Sequence, residues 1–408
     1  MKKALRKYCK IQAKKPKKSC LFILIFISLF IFILPVFSVA FVQAESVDAS
    51  AQTQLNDTLL QMLNELDLQA LEDYVKGLEN LDTGSVKERL IAYVKGESFD
   101  YANFFKNFIS LLLKGVGDLL PAFACITAVS LLSGVLGELR GGNAGGTSGV
   151  MINLITYVSA LIPLLGVLIE CFERSVSGVT SMQKQMQIVY PLLLTLMATT
   201  GGSVSVAVCK PTVAFFSNVI VSAIVRIVFP LTITIIAFSM AGNLTRELKI
   251  NKFSAFFKSI NKWLIGICVS VFGLFFSLQG ITSASYDGIV RRTVKYAIGN
   301  GVPIVGGFLS GGYDLVVAGG ILLKNSLGNM SIFLLVAVLF EPLVLLLATS
   351  LLLRYTSAVT QPFGDSRVSD FLSETADNIQ YCTAGLLFTA FLYFLSIVLM
   401  LLSSEALL

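Results

Sequence analysis

The sequence predicts an all-α fold, namely a polytopic helical membrane protein with a small exported N-terminal helical segment. Of its 408 residues, 55% are hydrophobic and only 14% are charged, whereas soluble domains have about 25% charged residues. Long apolar stretches recur from residue 119 onwards. A basic leader precedes an acidic segment, which is the charge order expected when the leader's basic end stays in the cytoplasm.

Residues 1–44 are predicted to be a signal sequence. They carry nine Lys or Arg and no acidic side chain, and an apolar run covers 20–42. Val42-Gln43-Ala44 offers the small residues of a signal-peptidase site. Because the apolar run exceeds the usual length of about 7–15 residues, an uncleaved signal anchor is the alternative. In both cases the next segment is exported.

Residues 45–103 are predicted to be an extracytoplasmic acidic helical segment. Between 45 and 100 there are twelve acidic and four basic side chains. The apolar stripe of a first helix is Leu55, Leu59, Met62, Leu63 and Leu66. Ser85 and Glu88 form a capping-box pattern at the start of a second helix. We expect this segment to pack on the membrane part or on a partner.

The multipass membrane domain covers residues 104–408. Its predicted spans are 119–137, 150–171, 187–208, 212–242, 263–283, 301–323, 329–352 and 382–403. The basic loop 243–262 has a net charge of +4 and is predicted to be cytoplasmic. That side requires an odd number of crossings before the loop, but four spans precede it. Either 212–242 is two half-helices that return to one side, or an earlier segment does not cross.

Two amphipathic stretches separate some of these spans. They are 285–298 and 365–380, and both combine an apolar face with a charged face. We expect helices that lie on the membrane surface, with docking to a partner as the alternative.

The segment 299–328 is apolar but rich in glycine. The residues that define this candidate broken-helix centre are Gly306, Gly307, Gly311, Gly312, Asp314, Gly319, Gly320 and Lys324. One interpretation is a discontinuous helix, which often marks the working centre of a transporter. The other is close helix packing through small residues. The sequence does not decide between them.

Five ionisable residues fall within or at the rim of apolar spans: Asp118, Arg226, Asp314, Lys324 and Glu341. Asp118 and Lys324 lie at span ends, where snorkelling or capping explains them. Arg226 and Glu341 are the opposite charges nearest to mid-span, and we expect them to compensate each other. This pair is either structural or part of a hydrophilic pathway.

Enzymatic chemistry has no support in the sequence, so we expect a non-enzymatic protein without cofactor or bound metal. Histidine is absent, and none of the seven cysteines forms a CxxC pair. No phosphate-binding loop or hydrolase motif occurs. Nine of the basic residues lie in the leader, and the rest of the chain is slightly acidic. Nucleic acid is therefore not an expected partner.

The run KYAIGNGVPIVGGFLSGGYDLVVAGGILLKNSLG at residues 295–328 resembles the signature region of the stage III sporulation protein AE family. The later polar helix with SDFLSETADNIQ, and the order of signal sequence, exported segment and multipass domain, are also similar to that family. The resemblance covers roughly residues 50–408 and is densest at 285–328.

This resemblance implies a multipass component of a mother-cell-to-forespore channel or feeding complex in an endospore-forming bacterium. It implies a location in the mother-cell membrane surrounding the forespore. The implied partners are other proteins of the stage III sporulation operon, including a secretion-type ATPase and a ring-forming protein, together with membrane lipid. A permease-like role is one alternative, and a free-standing secondary transporter or a structural platform for the ring are others. A homo-oligomer is also left open. No catalytic residue is implied.

Overall fold

The computed structural model describes residues 58–77, 86–94, 101–139, 147–202, 206–207, 215–244, 251–301, 306–362 and 366–402. Every regular element within these ranges is helical, which confirms the all-α prediction for this part of the chain. The predicted signal sequence 1–44 lies outside the described residues, as do 45–57, 78–85 and 95–100 of the exported segment.

The described ranges contain three short and six long helices. They are α1 (58–65), α2 (Gln69–Lys76), α3 (Val86–Val94), α4 (Tyr101–Leu139), α5 (Thr147–Thr199), α6 (215–244), α7 (Asn251–Gly301), α8 (Gly306–Thr360) and α9 (Ser366–Leu402). Five of the long helices, α4 and α6 to α9, contain a stretch long and apolar enough to cross a membrane. The chain is therefore a multipass membrane protein.

Helix α8 is the centre of the bundle and lies antiparallel to both α5 and α9. Towards α5, Gly178 faces Pro342 so closely that an added Cβ would lie 2.7 Å from the Pro342 Cγ. Towards α9, the Ser357 hydroxyl donates to the carbonyl of Ser369 at 2.8 Å. Glycine lets two helix backbones approach where a larger side chain would hold them apart, so the glycine of α5 fixes this contact.

Helices α6 and α7 form an antiparallel hairpin beside α9. The Phe238 ring stacks on Phe257 with ring centroids 5.4 Å apart. Gly385 of α9 packs against Phe229 of α6, whose Cε1 would lie 3.1 Å from an added Cβ. The Tyr157 hydroxyl of α5 donates to the Met240 carbonyl at 2.9 Å, which joins the hairpin to the bundle.

Helix α6 widens without reversing direction. It contains the π-helical turns Phe216–Ile220 and Ile224–Val228 before the regular stretch Phe229–Leu244. Pro230 has no N–H to donate to a preceding carbonyl and its ring would clash with a tight turn. A π-helical turn is wider and relieves that conflict. The alternative of two half-helices that return to one side is therefore wrong.

Helices α1 to α3 pack on the bundle. Leu71, Val75 and Leu90 have at most 2% of their surface exposed. The Tyr74 hydroxyl of α2 donates to the Ser181 carbonyl of α5 at 3.1 Å, and burial raises the pKa of Tyr74. This segment was expected to pack on the membrane part or on a partner, and its helices α1 to α3 pack on the membrane part.

The eight predicted spans merge into six long helices. Helix α5 contains 150–171 and the first part of 187–208, and α8 contains most of 301–323 and all of 329–352. With 55 residues, α8 is about 82 Å long, more than twice the hydrocarbon core of about 30 Å. Each merged pair of predicted spans is therefore one continuous helix.

Merging the spans changes the number of crossings that precede the basic loop 243–262. Before the loop, α4 and α6 each contain a candidate span, and α5 does not meet the same length and apolarity. The cytoplasmic side of this loop therefore stays a prediction.

The prediction of a membrane-surface helix at 365–380 is wrong. These residues form the first turns of α9, and Val368, Phe371 and Ile379 are at most 2% exposed within the bundle. The other expected surface helix, 285–298, belongs to the continuous α7. In 366–380, contacts with α6 and α8 cover the apolar face that was expected to lie on the membrane surface.

Candidate functional site

The glycine-rich segment is helical from Gly306 onwards, and residues 302–305 lie outside the described ranges. The side-chain surroundings of Gly306, Gly307, Gly311, Gly312 and Asp314 are likewise not described. Gly319 and Gly320 are buried. An added Cβ at Gly320 would lie 2.6 Å from the Thr200 Cγ2. At Gly320 the observed contact is thus close helix packing.

Lys324 is completely buried, which differs from the snorkelling position expected at a span end. Its ammonium Nζ donates to the main-chain carbonyl of Leu401 at 2.6 Å. An added Cβ at the neighbouring Gly328 would lie 2.5 Å from the Leu401 Cδ2. The close approach of α8 and α9 at this glycine brings the carbonyl within reach of the ammonium group. Lys324 therefore joins the first part of α8 to the C-terminal end of α9.

The structure does not bring Arg226 and Glu341 together. Glu341 Oε1 instead accepts from Arg174 Nη1 at 2.7 Å, and the two side chains are 44% and 52% exposed. Helix α5 carries Arg174 one turn from Gly178, next to the part of α8 that holds Glu341. Arg226 is exposed on α6, which packs on α7 and α9. The predicted Arg226–Glu341 pairing is wrong because helix neighbours, not depth along the sequence, select the partner.

A transverse row of buried polar side chains, which we call the polar belt, joins five long helices at one level. It consists of Asn261, Thr232, Cys382, Cys171 and Thr349, from α7, α6, α9, α5 and α8. Each is at most 2% exposed. Sequence analysis assigned none of them to a site.

The polar belt is connected by hydrogen bonds between neighbouring helices and, between α9 and α5, by the proximity of two thiols. The Asn261 amide Nδ2 donates to the Thr232 hydroxyl at 3.0 Å. That hydroxyl interacts with the thiol of Cys382, which in turn lies near Cys171. The Cys171 Sγ and the Thr349 Oγ1 are 3.2 Å apart. Buried polar groups in an apolar bundle are costly unless partnered, so these contacts hold the belt together.

Several polar atoms beside the belt have no hydrogen-bond partner among the described residues. They are Asn261 Oδ1, Thr375 Oγ1, and both Oδ1 and Nδ2 of Asn378. Asn378 lies one turn before Cys382 on α9 and is 1% exposed. A buried amide left without partners costs about 1–3 kcal/mol, and such groups commonly bind ordered water. These atoms leave unused hydrogen-bonding capacity beside the belt.

Clusters of His, Cys, Asp and Glu are the usual ligand sets of transition metals. In the described part of the chain, no group of three or more such side chains could hold a metal ion. The polar belt is neutral, and its thiols are buried. It offers hydrogen bonds rather than a nucleophile or a general base.

The belt has no signature in the sequence, because its members are single Asn, Thr and Cys residues within apolar spans. Threonine is common in membrane helices, where its hydroxyl donates to a carbonyl of the preceding turn. Thr232 donates in this way to the Val228 carbonyl at 2.8 Å. That the belt residues lie at one level across the bundle is visible only in the tertiary structure, where α5 and α9 are neighbours. Asn378 had a weak signal, since an amide on the apolar face of 365–380 departs from the amphipathic pattern.

The sequence matches the family model described as Stage III sporulation protein AE over residues 85–404, more than three quarters of the chain. The chain belongs to this family. It is also similar to the Stage III sporulation protein AE of Bacillus subtilis (strain 168), with 26% identity over 317 residues. These residues are 77% of this chain and 79% of that protein. No solved structure matches the chain.

Membership in the stage III sporulation protein AE family implies a role in sporulation. The matched residues 85–404 include α3 and all six long helices. The polar belt, the Arg174–Glu341 ion pair and the buried Lys324 all lie within the family region. The expectation drawn from residues 295–328 is thus confirmed at the level of the family.

Proposed function

We propose that this protein is a multipass component of the channel or feeding complex between mother cell and forespore, in the mother-cell membrane surrounding the forespore. The observation that carries the proposal is membership in the stage III sporulation protein AE family, over a region that coincides with the helical bundle. A protein made largely of membrane-crossing helices fits the membrane part of such a complex.

Within that complex we assign it a permease-like, non-enzymatic role. The polar belt supports this assignment, because five helices direct hydrophilic groups to one level inside an apolar bundle. Polar residues inside membrane helices commonly mark substrate or ion pathways. A structural platform for the ring has no comparable need for a polar interior. The absence of histidine and of hydrolase motifs from the sequence agrees with a non-enzymatic role.

The energy for transport would come from a partner. The sequence has no phosphate-binding loop, so the secretion-type ATPase implied by the family is the proposed motor. The ring-forming protein would continue the path beyond the membrane. The polar faces of α2 and α3, which carry Glu72, Asp73 and Glu88, are the proposed contact on the exported side.

The test is affinity purification of the tagged full-length protein from sporulating cells, followed by identification of the co-purifying proteins. We expect the secretion-type ATPase and the ring-forming protein. Purification free of both, together with solute uptake by liposomes that contain this protein alone, would instead support the free-standing secondary transporter.

The permease-like role is tested by removing one hydroxyl from the polar belt. Thr232→Val has the same shape as threonine but loses the group that accepts from Asn261. Thr234→Val is the matched control, because Thr234 also bonds the preceding turn, through the Pro230 carbonyl at 2.9 Å, but lies outside the belt. We expect Thr232→Val to reduce spore formation by more than any fall in its protein level explains, and Thr234→Val to behave as wild type. Equal spore formation by both variants would refute a working role for the belt.

A further inference from the structure

Glu374 is a half-buried carboxylate of α9 with an unusual environment. Its Oε2 accepts from the Ser239 hydroxyl of α6. No Lys or Arg side chain among the described residues forms an ion pair with it. A carboxylate held between two helices of an apolar bundle favours a compensating positive charge.

Two orphaned polar side chains lie on the same helix within one turn of Glu374. Asn378 is four residues further on, about one helical turn away, and Thr375 follows Glu374 directly. They are 1% and 0% exposed, respectively. The Thr375 Oγ1 and both amide atoms of Asn378 have no hydrogen-bond partner in the described part of the chain. Each orphaned group is costly unless a ligand or water satisfies it.

The neighbouring acidic residue serves as a contrast. Asp377 lies three residues after Glu374 but faces outwards, and its Oδ1 accepts from Arg354 Nη2 at 2.7 Å. The carboxylate of Asp377 therefore pairs with Arg354, whereas no Lys or Arg side chain in the described ranges pairs with the carboxylate of Glu374.

The chemistry of this cluster indicates the class of ligand. A carboxylate, two hydroxyls and an amide carbonyl supply only oxygen atoms, which hard metal cations prefer. One carboxylate balances one positive charge. A divalent ion would be left with excess charge in an apolar bundle, which is costly.

We propose that Glu374, Ser239, Thr375 and Asn378 bind a monovalent metal cation, sodium or potassium, between α6 and α9. The inference goes beyond the proposed function, because it concerns binding by the isolated chain and does not depend on the partners. The site lies one helical turn from the polar belt. If transport is confirmed, binding of the cation would be coupled to that path.

The experiment measures thermal unfolding of the purified full-length protein in detergent. Choline chloride is replaced stepwise by sodium or potassium chloride at constant ionic strength. A cation that binds only the folded protein raises the melting temperature with its concentration, and at a hundredfold excess over Kd the rise is about 3 °C for a chain of this size. Separate titrations with sodium and with potassium show which of the two cations the site binds.

Variants identify the site. Glu374→Gln removes the negative charge and Asn378→Leu replaces the amide by an apolar side chain with the same branching, so both should abolish the cation response. Asp377→Asn is the matched control on the same helix and should retain it. Should Asn378→Leu fail to fold, Thr375→Val is the milder replacement and should weaken the response. Retention of radioactive sodium by the wild-type protein on a desalting column, and its loss in Glu374→Gln, gives a second measurement.

The proposal is overturned if the wild-type protein melts at the same temperature in sodium, potassium and choline chloride, since water alone would then fill the site. It is also overturned if Glu374→Gln keeps the full response, because the cation would then bind elsewhere. Either result would leave the pull-down test of the proposed function unaffected.

Discussion

Replacement of Gly178 by alanine tests whether the contact between α5 and α8 determines the packing of the bundle. An added Cβ at Gly178 would lie 2.7 Å from the Pro342 Cγ and 3.4 Å from the Leu386 Cδ1. The Pro342 ring is rigid and is seated inside α8, so it cannot rotate away. The helices must separate by several tenths of an ångström, and overpacking of this kind costs about 1–3 kcal/mol.

Gly166 is the matched control, because it lies on the same helix and an added Cβ there would meet nothing within 4 Å. Both substitutions gain the same helix propensity, about 1 kcal/mol, so this gain cancels when the two variants are compared. We therefore expect Gly178→Ala to be less stable than Gly166→Ala by about 1–3 kcal/mol.

The assay is thermal unfolding in detergent, with the folded fraction measured by size-exclusion chromatography after heating. For a chain of 408 residues, the unfolding entropy is about 0.9 kcal/mol per kelvin, so the expected difference in melting temperature is about 1–3 °C. Leucine at the same two positions should enlarge the difference. If Gly178→Ala proves as stable as Gly166→Ala, the close approach of α5 and α8 is not the constraint that we infer.

Three further outcomes are expected. Tyr74→Phe removes the bond to the Ser181 carbonyl, and should lower stability by about 0.5–1.5 kcal/mol and speed proteolysis of α1 to α3; unchanged cleavage would contradict that packing. Arg174→Gln should cost less than about 1 kcal/mol, because this residue and Glu341 are half-exposed, and a severe loss of folded protein would mean that the pair is buried in the assembly. A cysteine at Asn251, in a variant without native cysteines, should resist an impermeant thiol reagent added outside, and ready labelling would overturn the cytoplasmic side of loop 243–262.

The number of separate helices is a property that the local sequence predicts only in part. The apolar stretches 150–171 and 187–208 are separated by charged and amide side chains, which lay outside the predicted spans. In the structure these residues continue α5, because Gln185 donates to the Ser331 carbonyl at 2.7 Å and Arg174 pairs with Glu341. Contacts with α8 thus satisfy polar groups that would otherwise interrupt a membrane helix.

The sequence by itself determined the fold class, the family and the multipass character of the chain. These depend on composition and on apolar runs of sufficient length, which are local properties. The packing role of glycine at Gly320 was one of two open alternatives, since glycine both breaks helices and lets them approach closely. The identity of the facing residue, Thr200, is what distinguishes the two cases.

Only the tertiary structure decided which polar residues meet. Depth along the sequence suggested Arg226 as the partner of Glu341, but neighbouring helices supply Arg174. The polar belt and the Glu374 site combine side chains from helices far apart in the chain, such as Ser239 and Asn378. Hydrogen bonds and ion pairs act over about 3–4 Å, so their formation depends on which helix faces lie against each other, and that arrangement follows from close contacts such as Gly178 against Pro342.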